Sequence, residues 1–310
     1  MNSIIVTGAN GDIGLSIGRI LKESMDDFKI FGTDCNGEWP AKDIYDDIYY
    51  LPNANEKGYI KNLKKLVAGI NPKLVICVTE PELKKISNEN NFCTKKFIVN
   101  ENFLLNTFLD KLSTYHWLKD NNTDAPLTVD IHEVKSNQFP VFVKSRYGHG
   151  NQNYELVRDM NRLDHYKTNS RNNYVAQEYI PFTDNEYTCA IIKINKKVNH
   201  LIMKRKLEGS NTVKIEVVEN KHISDSLHKI SNAINHDFFI NVQLRLDSDA
   251  PKIFEINPRF SGTSMMRHKI GFQDVLWMVK KKLDVLNELP NCKIHSGIQV
   301  FRAFDEIIKK

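Results

Sequence analysis

The chain has 310 residues, of which 41% are hydrophobic and 26% charged, and its net charge is +5. That length suits two domains or one large one, with a composition typical of a globular protein with a sizeable core. No run of about 18 apolar residues occurs and the lysines are spread along the chain, so neither a membrane span nor a nucleic-acid partner is expected. Five scattered cysteines (Cys35, Cys77, Cys93, Cys189, Cys292), never in C-x-x-C spacing, argue against a disulfide framework or structural zinc and point to the cytoplasm. The first residues, MNSIIVTGANG, lack the basic start and apolar length of a signal peptide.

The apolar run Ser3–Val6 reads as a strand, the turn Thr7–Gly14 carries the pattern G-x-x-G-x-x-G, and Leu15–Lys22 reads as an amphipathic helix. A second strand, Lys29–Thr33, ends at Asp34. A helix around Tyr59–Ala68 leads to a third strand, Leu74–Val78. Alternating β and α units of this kind predict a parallel sheet with helices on its faces. The glycines and Asp34, about twenty residues on, also fit a dinucleotide-binding turn, and Tyr115 and Lys119 have the Tyr-x-x-x-Lys spacing of a short-chain reductase. The other reading is that the glycines permit a tight strand-to-helix turn. After the third strand, Thr79–Leu83 lies where ligands of open α/β sheets bind, and it also reads as a helix cap.

The polar stretch Ser87–Lys96 is the expected domain boundary. Asn102–Asp120 has helical spacing and contains Asp110-Lys111. The second half is strand-rich. Phe139–Lys144 runs into a glycine-containing loop, Ser145–Asn151, where an ammonium group beside backbone N–H groups can hold phosphates. Strands are expected at Tyr174–Ile180 and Glu186–Lys193. Phe239–Leu246 alternates, with Asn241, Gln243 and Arg245 on one face, and pairs across Asp247–Pro251 with the strand of Lys252–Gly262, KIFEINPRFSG. In that stretch, alternation places Phe254 and Ile256 on one side and Ile253, Glu255 and Asn257 on the other. Gln243, Glu255 and Asn257 then offer three oxygen donors on one face, with Arg259 just past the strand end, which suits a magnesium ion bound to phosphates. A helix at Val275–Leu286 and a strand at Gly297–Ala303 close the chain.

This ordered series resembles the ATP-grasp superfamily, in particular the branch similar to the large subunit of carbamoyl-phosphate synthetase. The resemblance rests on Asp110-Lys111, Pro140-x-x-x-Lys144 with its glycine loop, Gln177-Glu178-Tyr179-Ile180, Glu186-Tyr187-Thr188, and Gln243 followed by Glu255-x-Asn257-Pro258-Arg259. It implies a class of α/β plus α+β. An N-terminal Rossmann-like parallel sheet (1–95) would precede an ATP-grasp fold of two α+β subdomains (96–310), with a lid at roughly 112–180. ATP would lie between the subdomains. Lys111 and Lys144 would contact nucleotide and phosphates, Glu178, Tyr179 and Ile180 would form the adenine hinge, and Glu186 would hold the ribose hydroxyls. Gln243, Glu255 and Asn257 would bind Mg2+ (or Mn2+). Arg259 would stabilise the transferred phosphoryl group, with Lys144 and either Lys204 or Arg205 assisting.

The implied reaction is ATP-dependent ligation of a small-molecule carboxylate to an amine through an acyl phosphate, releasing ADP and phosphate, by a protein that forms a homodimer in many relatives. Two alternatives stay open: an NAD(P)-dependent reductase and a nucleotide-binding protein without catalysis. Ser145 stands where the family has proline, and Asn151 and Asn153 where glycine or serine is commoner. By the resemblance, the G-x-x-G-x-x-G turn is structural.

Overall fold

The computed structural model describes residues 2–36, 40–89, 95–148, 154–169 and 174–303. The N-terminal body is built from β1 (Ser3–Thr7), α1 (Asp12–Ser24), β2 (Lys29–Asp34), β3 (Asp47–Tyr50), α2 (Tyr59–Ile70), β4 (Leu74–Ile76), α3 (Glu80–Ser87) and β5 (Phe97–Ile98). Its five strands are parallel in the order β3-β2-β1-β4-β5, as the alternation of β and α segments predicts. Strand β5 lies beyond the expected boundary at residue 95 and pairs with β4 at the edge of this sheet.

The glycine turn owes its shape to close packing. Gly8 has a φ of 57°, and a Cβ on Gly14 would stand 2.2 Å from the Gly8 carbonyl oxygen. Asp34 accepts hydrogen bonds from the backbone N–H groups of Asn10 and Asn36, so its carboxylate closes this turn locally.

The expected helix Asn102–Asp120 is two helices, α4 (Asn102–Phe108) and α5 (Lys111–Asp120). Asp110 sits between them with extended backbone and accepts from the N–H groups of Leu112 and Ser113. A side chain satisfying those N–H groups starts a new helix, a feature that apolar periodicity does not register. The following sheet contains β6 (Thr128–Asp130), β7 (Val141–Ser145), β8 (Glu155–Val157) and β9 (Tyr174–Glu178) in the order β6-β9-β7-β8, with α6 (Met160–Asn169) beside it. Six antiparallel strands complete the fold, in the order β14-β13-β10-β11-β12-β15: β10 (Glu186–Ile194), β11 (Lys197–Glu208), β12 (Asn211–Val217), β13 (Phe238–Asp247), β14 (Ala250–Asn257) and β15 (Gln299–Phe301). Helices α7 (Lys221–Ala233), α8 (Ser264–Lys269) and α9 (Asp274–Lys282) cover them.

Four apolar clusters divide the described residues. One is shared between the α1 side of the parallel sheet, α9 and one face of the six-stranded sheet, joining Ile4 and Ile17 to Ile192, Met203 and Trp277. A second fills the other face of the six-stranded sheet beneath α5 and α7, and includes Leu118, Ile191, Leu227 and Ile253. A third lies on the opposite face of the parallel sheet. The four-stranded sheet has its own small core around Val143, Val157, Leu163 and Ala176. Helix α5 therefore packs with the large sheet, and the small sheet that forms a separate layer spans 128–178, starting later than the lid boundary expected at 112.

Candidate functional site

A cleft of about 820 Å³ opens where the three sheets meet. Its floor is the polar face of β13 and β14. The register pairs Gln243 with Glu255 and Asn241 with Asn257, but slips between Gln243 and Leu244, which leaves Phe254 as an extra residue. This β-bulge revises the expected alternation. Ile253 and Ile256 both enter the core, while Phe254, Glu255 and Asn257 all face the cleft. The three expected metal donors thus do share one wall, and an aromatic ring joins them.

Lys144, nine-tenths buried at the end of β7, donates to Gln177 Oε1 at 2.8 Å and to the Phe254 carbonyl at 3.4 Å. Gln177 is itself held by its Nε2 donating to Thr128 Oγ1 at 2.9 Å. Burial first, then Lys111 and Arg245, lower the Lys144 ammonium pKa from the usual 10.5 to about 7, with Glu255 opposing. Lys111, at the first turn of α5, donates to the Gly148 carbonyl at 2.7 Å. Asp110 beside it grips Arg146 through Nε and Nη2 at 2.8 and 2.7 Å, tying α5 to the end of β7. His149, Gly150, Asn151 and Asn153 of the glycine loop, like Cys93, lie outside the described residues.

Burial would raise the Glu255 carboxyl, but Lys111, Lys144, Arg259 and Arg205 together hold its pKa below the usual value. Among the described residues the cleft lining carries six basic side chains (Lys111, Lys144, Arg205, Arg245, Arg259, Arg302) against four acidic ones (Asp12, Glu178, Glu186, Glu255), a surplus that favours a polyanion. The donor set fits a hard divalent ion: one ionised carboxylate and two amide oxygens, leaving coordination positions for phosphate oxygens. Among the described residues no cluster of three or more His, Cys, Asp or Glu competes as a metal site.

Glu178, Tyr179 and Ile180, the residues expected to form a hinge, line the cleft together with Phe142, Phe182 and Phe254. Glu178 exchanges backbone and side-chain hydrogen bonds with Leu127. Glu186 is almost fully buried, and both its oxygens are taken by arginines, Oε1 by Arg205 and Oε2 by Arg245. Of the two basic candidates on β11, Arg205 faces this cleft, whereas Lys204 pairs with exposed Asp184 at 2.8 Å. Arg259 reaches the cleft but donates to Glu80 Oε1 at 2.7 Å, across to the first turn of α3.

Three participants carried no expected role. Arg245 and Asn241 share the alternating face of Gln243, so the pattern that located Gln243 also held them. Asn241 is 1% exposed, accepts from Thr188 Oγ1 at 3.1 Å, and its Nδ2 has no hydrogen-bond partner among the described residues. Glu80 had only its place after a strand end as a signal. The glycine turn also lines the cleft, with Gly262 packed so closely that a Cβ there would meet Asp12 Oδ2 at 2.1 Å. Tyr115 packs against the core beneath the large sheet, away from the cleft lining, so the Tyr-x-x-x-Lys spacing does not meet the glycine turn.

A parallel N-terminal sheet followed by two antiparallel sheets that enclose a cationic cleft is the ATP-grasp architecture. Residues 170–303 match the family described as ATP-grasp in the biosynthetic pathway with Ter operon, and residues 4–98 match the PylC-like N-terminal domain. The chain thus has the ATP-grasp fold, and its residues 170–303 match an ATP-grasp family. Among solved structures it is similar to N5-carboxyaminoimidazole synthetase from Staphylococcus aureus complexed with ADP, with a TM-score of 0.73 and 15% identity, covering 94% of this chain and 79% of that one. It is also similar to L-amino acid ligase from Bacillus licheniformis, with a TM-score of 0.69 and 16% identity, covering 91% and 74%. An uncharacterised protein of Mycoplasma genitalium is 28% identical over 123 residues, 38% of this chain and 41% of that protein. Among the described residues no helix is long and apolar enough to cross a membrane.

Proposed function

We propose that this protein is an ATP- and Mg2+-dependent ligase that activates a small-molecule carboxylate as an acyl phosphate for attack by an amine. The observation that carries this reading is Glu255, kept ionised between Gln243 and Asn257 on the cleft wall by surrounding lysines and arginines. Phosphoryl transfer needs positioning and charge neutralisation more than covalent protein chemistry, which this lining supplies.

In this reading Glu178, Tyr179 and Ile180 seat the base, and Lys111 and Lys144 neutralise the phosphate chain. Gln243, Glu255 and Asn257 hold the divalent ion, which when bound offsets negative charge on the phosphates. A carboxylate oxygen attacks the γ-phosphorus and the bond to the ADP oxygen breaks. The amine then attacks the acyl carbon, loses a proton, and expels phosphate. Arg259 and Arg205 stabilise charge on the transferred group, with Arg259 leaving Glu80 or sharing it with the arriving substrate. The domain division is 1–98 and 99–310, with 128–178 as the lid. A cytoplasmic location and a homodimer belong to the same reading; light scattering reads the assembly state. Screening carboxylate and amine pairs for ATP-dependent ADP release, followed by mass spectrometry of the product, tests the whole. If no pair releases ADP while ATP binds, the protein is a nucleotide-binding protein without ligase activity.

A further inference from the structure

We propose that Arg245 determines how this cleft reads the sugar of its nucleotide: it saturates Glu186, so the ribose hydroxyls make no recognised hydrogen bond to that carboxylate. The inference rests on the reading of the cleft as an ATP site. An ionised carboxylate offers about four lone-pair positions. At Glu186, Oε1 accepts from both Nε and Nη2 of Arg205, and Oε2 accepts from Nε of Arg245 at 2.9 Å, with Nη2 of Arg245 in ion-pair contact at 2.8 Å. Three N–H donors and the contacting Nη2 of Arg245 enclose both oxygens, and the residue is 2% exposed, so no open face is left for a hydroxyl.

Arg245 is fixed on its other sides as well. Its Nη1 donates to the Ile180 carbonyl at 2.7 Å, and its guanidinium lies 5.4 Å and 5.8 Å from the ring centres of Phe182 and Phe254. Arg205 is anchored by donating to Gln243 Oε1 at 3.1 Å. Both arginines are therefore braced from the hinge and from the metal-binding strand, and displacing either to free Glu186 would leave a buried carboxylate short of partners. The pairing follows from the fold: Glu186 opens β10 directly opposite Arg245 on β13. A ribose hydroxyl arriving here meets guanidinium edges, not an accepting oxygen. Glu186 is then a positioning residue that sets two cations beside the nucleotide.

Calorimetric titration of the full chain with ATP, 2′-deoxyATP and 3′-deoxyATP, each with Mg2+, tests this without knowledge of the acceptor. The expected result is three dissociation constants within about threefold of one another, because no charge-assisted hydrogen bond is lost with either hydroxyl. Arg245→Leu releases Oε2, and the variant should come to prefer ATP over a deoxy analogue by about tenfold or more. A purely structural role for Arg245 would lower all three affinities together and leave their ratio unchanged, which would overturn the assignment. A preference of the unaltered protein for ATP of about tenfold or more would overturn it alone, whether or not the variant folds. Failure of all three nucleotides to bind removes the ATP reading and this inference with it.

Discussion

Lys144 shows how far an individual side chain departs from its behaviour in water. Its ammonium is nine-tenths buried among other cations, which brings its pKa to about 7. In the unfolded chain the same group stays protonated to 10.5, so between these values the unfolded state binds more protons and stability of the ligand-free protein rises with pH. Chemical denaturation between pH 7 and pH 10 should show this rise, with a smaller slope in Lys144→Met. The same group should take up a proton when a polyphosphate arrives above pH 7, which calorimetry in buffers of different ionisation enthalpy would detect. Glu255 is the complementary case, an acid kept ionised by its neighbours. Glu255→Ala should lower ATP-dependent turnover by about a hundredfold or more, and unchanged ADP release would remove the metal assignment.

At the level of elements, small irregularities decide what reaches the cleft. The bulge at Phe254 swings a ring onto the wall that holds Glu255 and Asn257, and lets Ile253 join the core. The glycine turn after β1 is a packing device, since a Cβ on Gly14 would collide with the backbone of Gly8 and Ala9. Gly14→Ala should therefore destabilise the protein by about 1–3 kcal/mol, read as a lower urea midpoint, because backbone atoms cannot rotate aside as a side chain can. A melting curve unchanged from the parent would mean that the turn has slack the geometry does not show.

For the whole molecule, the shared core between the parallel sheet and the six-stranded sheet holds one side of the cleft together, and the small sheet covers it from a separate core. Ion pairs cross the same seam, Arg259 to Glu80 at 2.7 Å and Arg302 to Asp12 at 3.9 Å. Binding at such a junction stabilises the native state by mass action, about 2.7 kcal/mol at a hundred times Kd. ATP with Mg2+ should raise the melting temperature by several degrees while NADH and NADPH leave it unchanged. Stabilisation by NADPH and not by ATP would restore the reductase reading.

Much of this site was legible in the residues. Alternation along Phe239–Leu246 and KIFEINPRFSG placed Gln243, Glu255 and Asn257 together, because side-chain direction in a strand follows from position alone. The parallel N-terminal sheet followed from alternating β and α segments for the same local reason. Apolar periodicity missed the break at Asp110, since a cap acts through one side chain and two N–H groups. Pairings distant in sequence had no local signal at all: Glu80 lies 179 positions from Arg259, and Glu186 lies 59 from Arg245. Strand register and inter-sheet packing alone bring such partners together. The strand pattern therefore carried the wall of Gln243, Glu255 and Asn257, while the three-dimensional fold determined which acids the arginines hold.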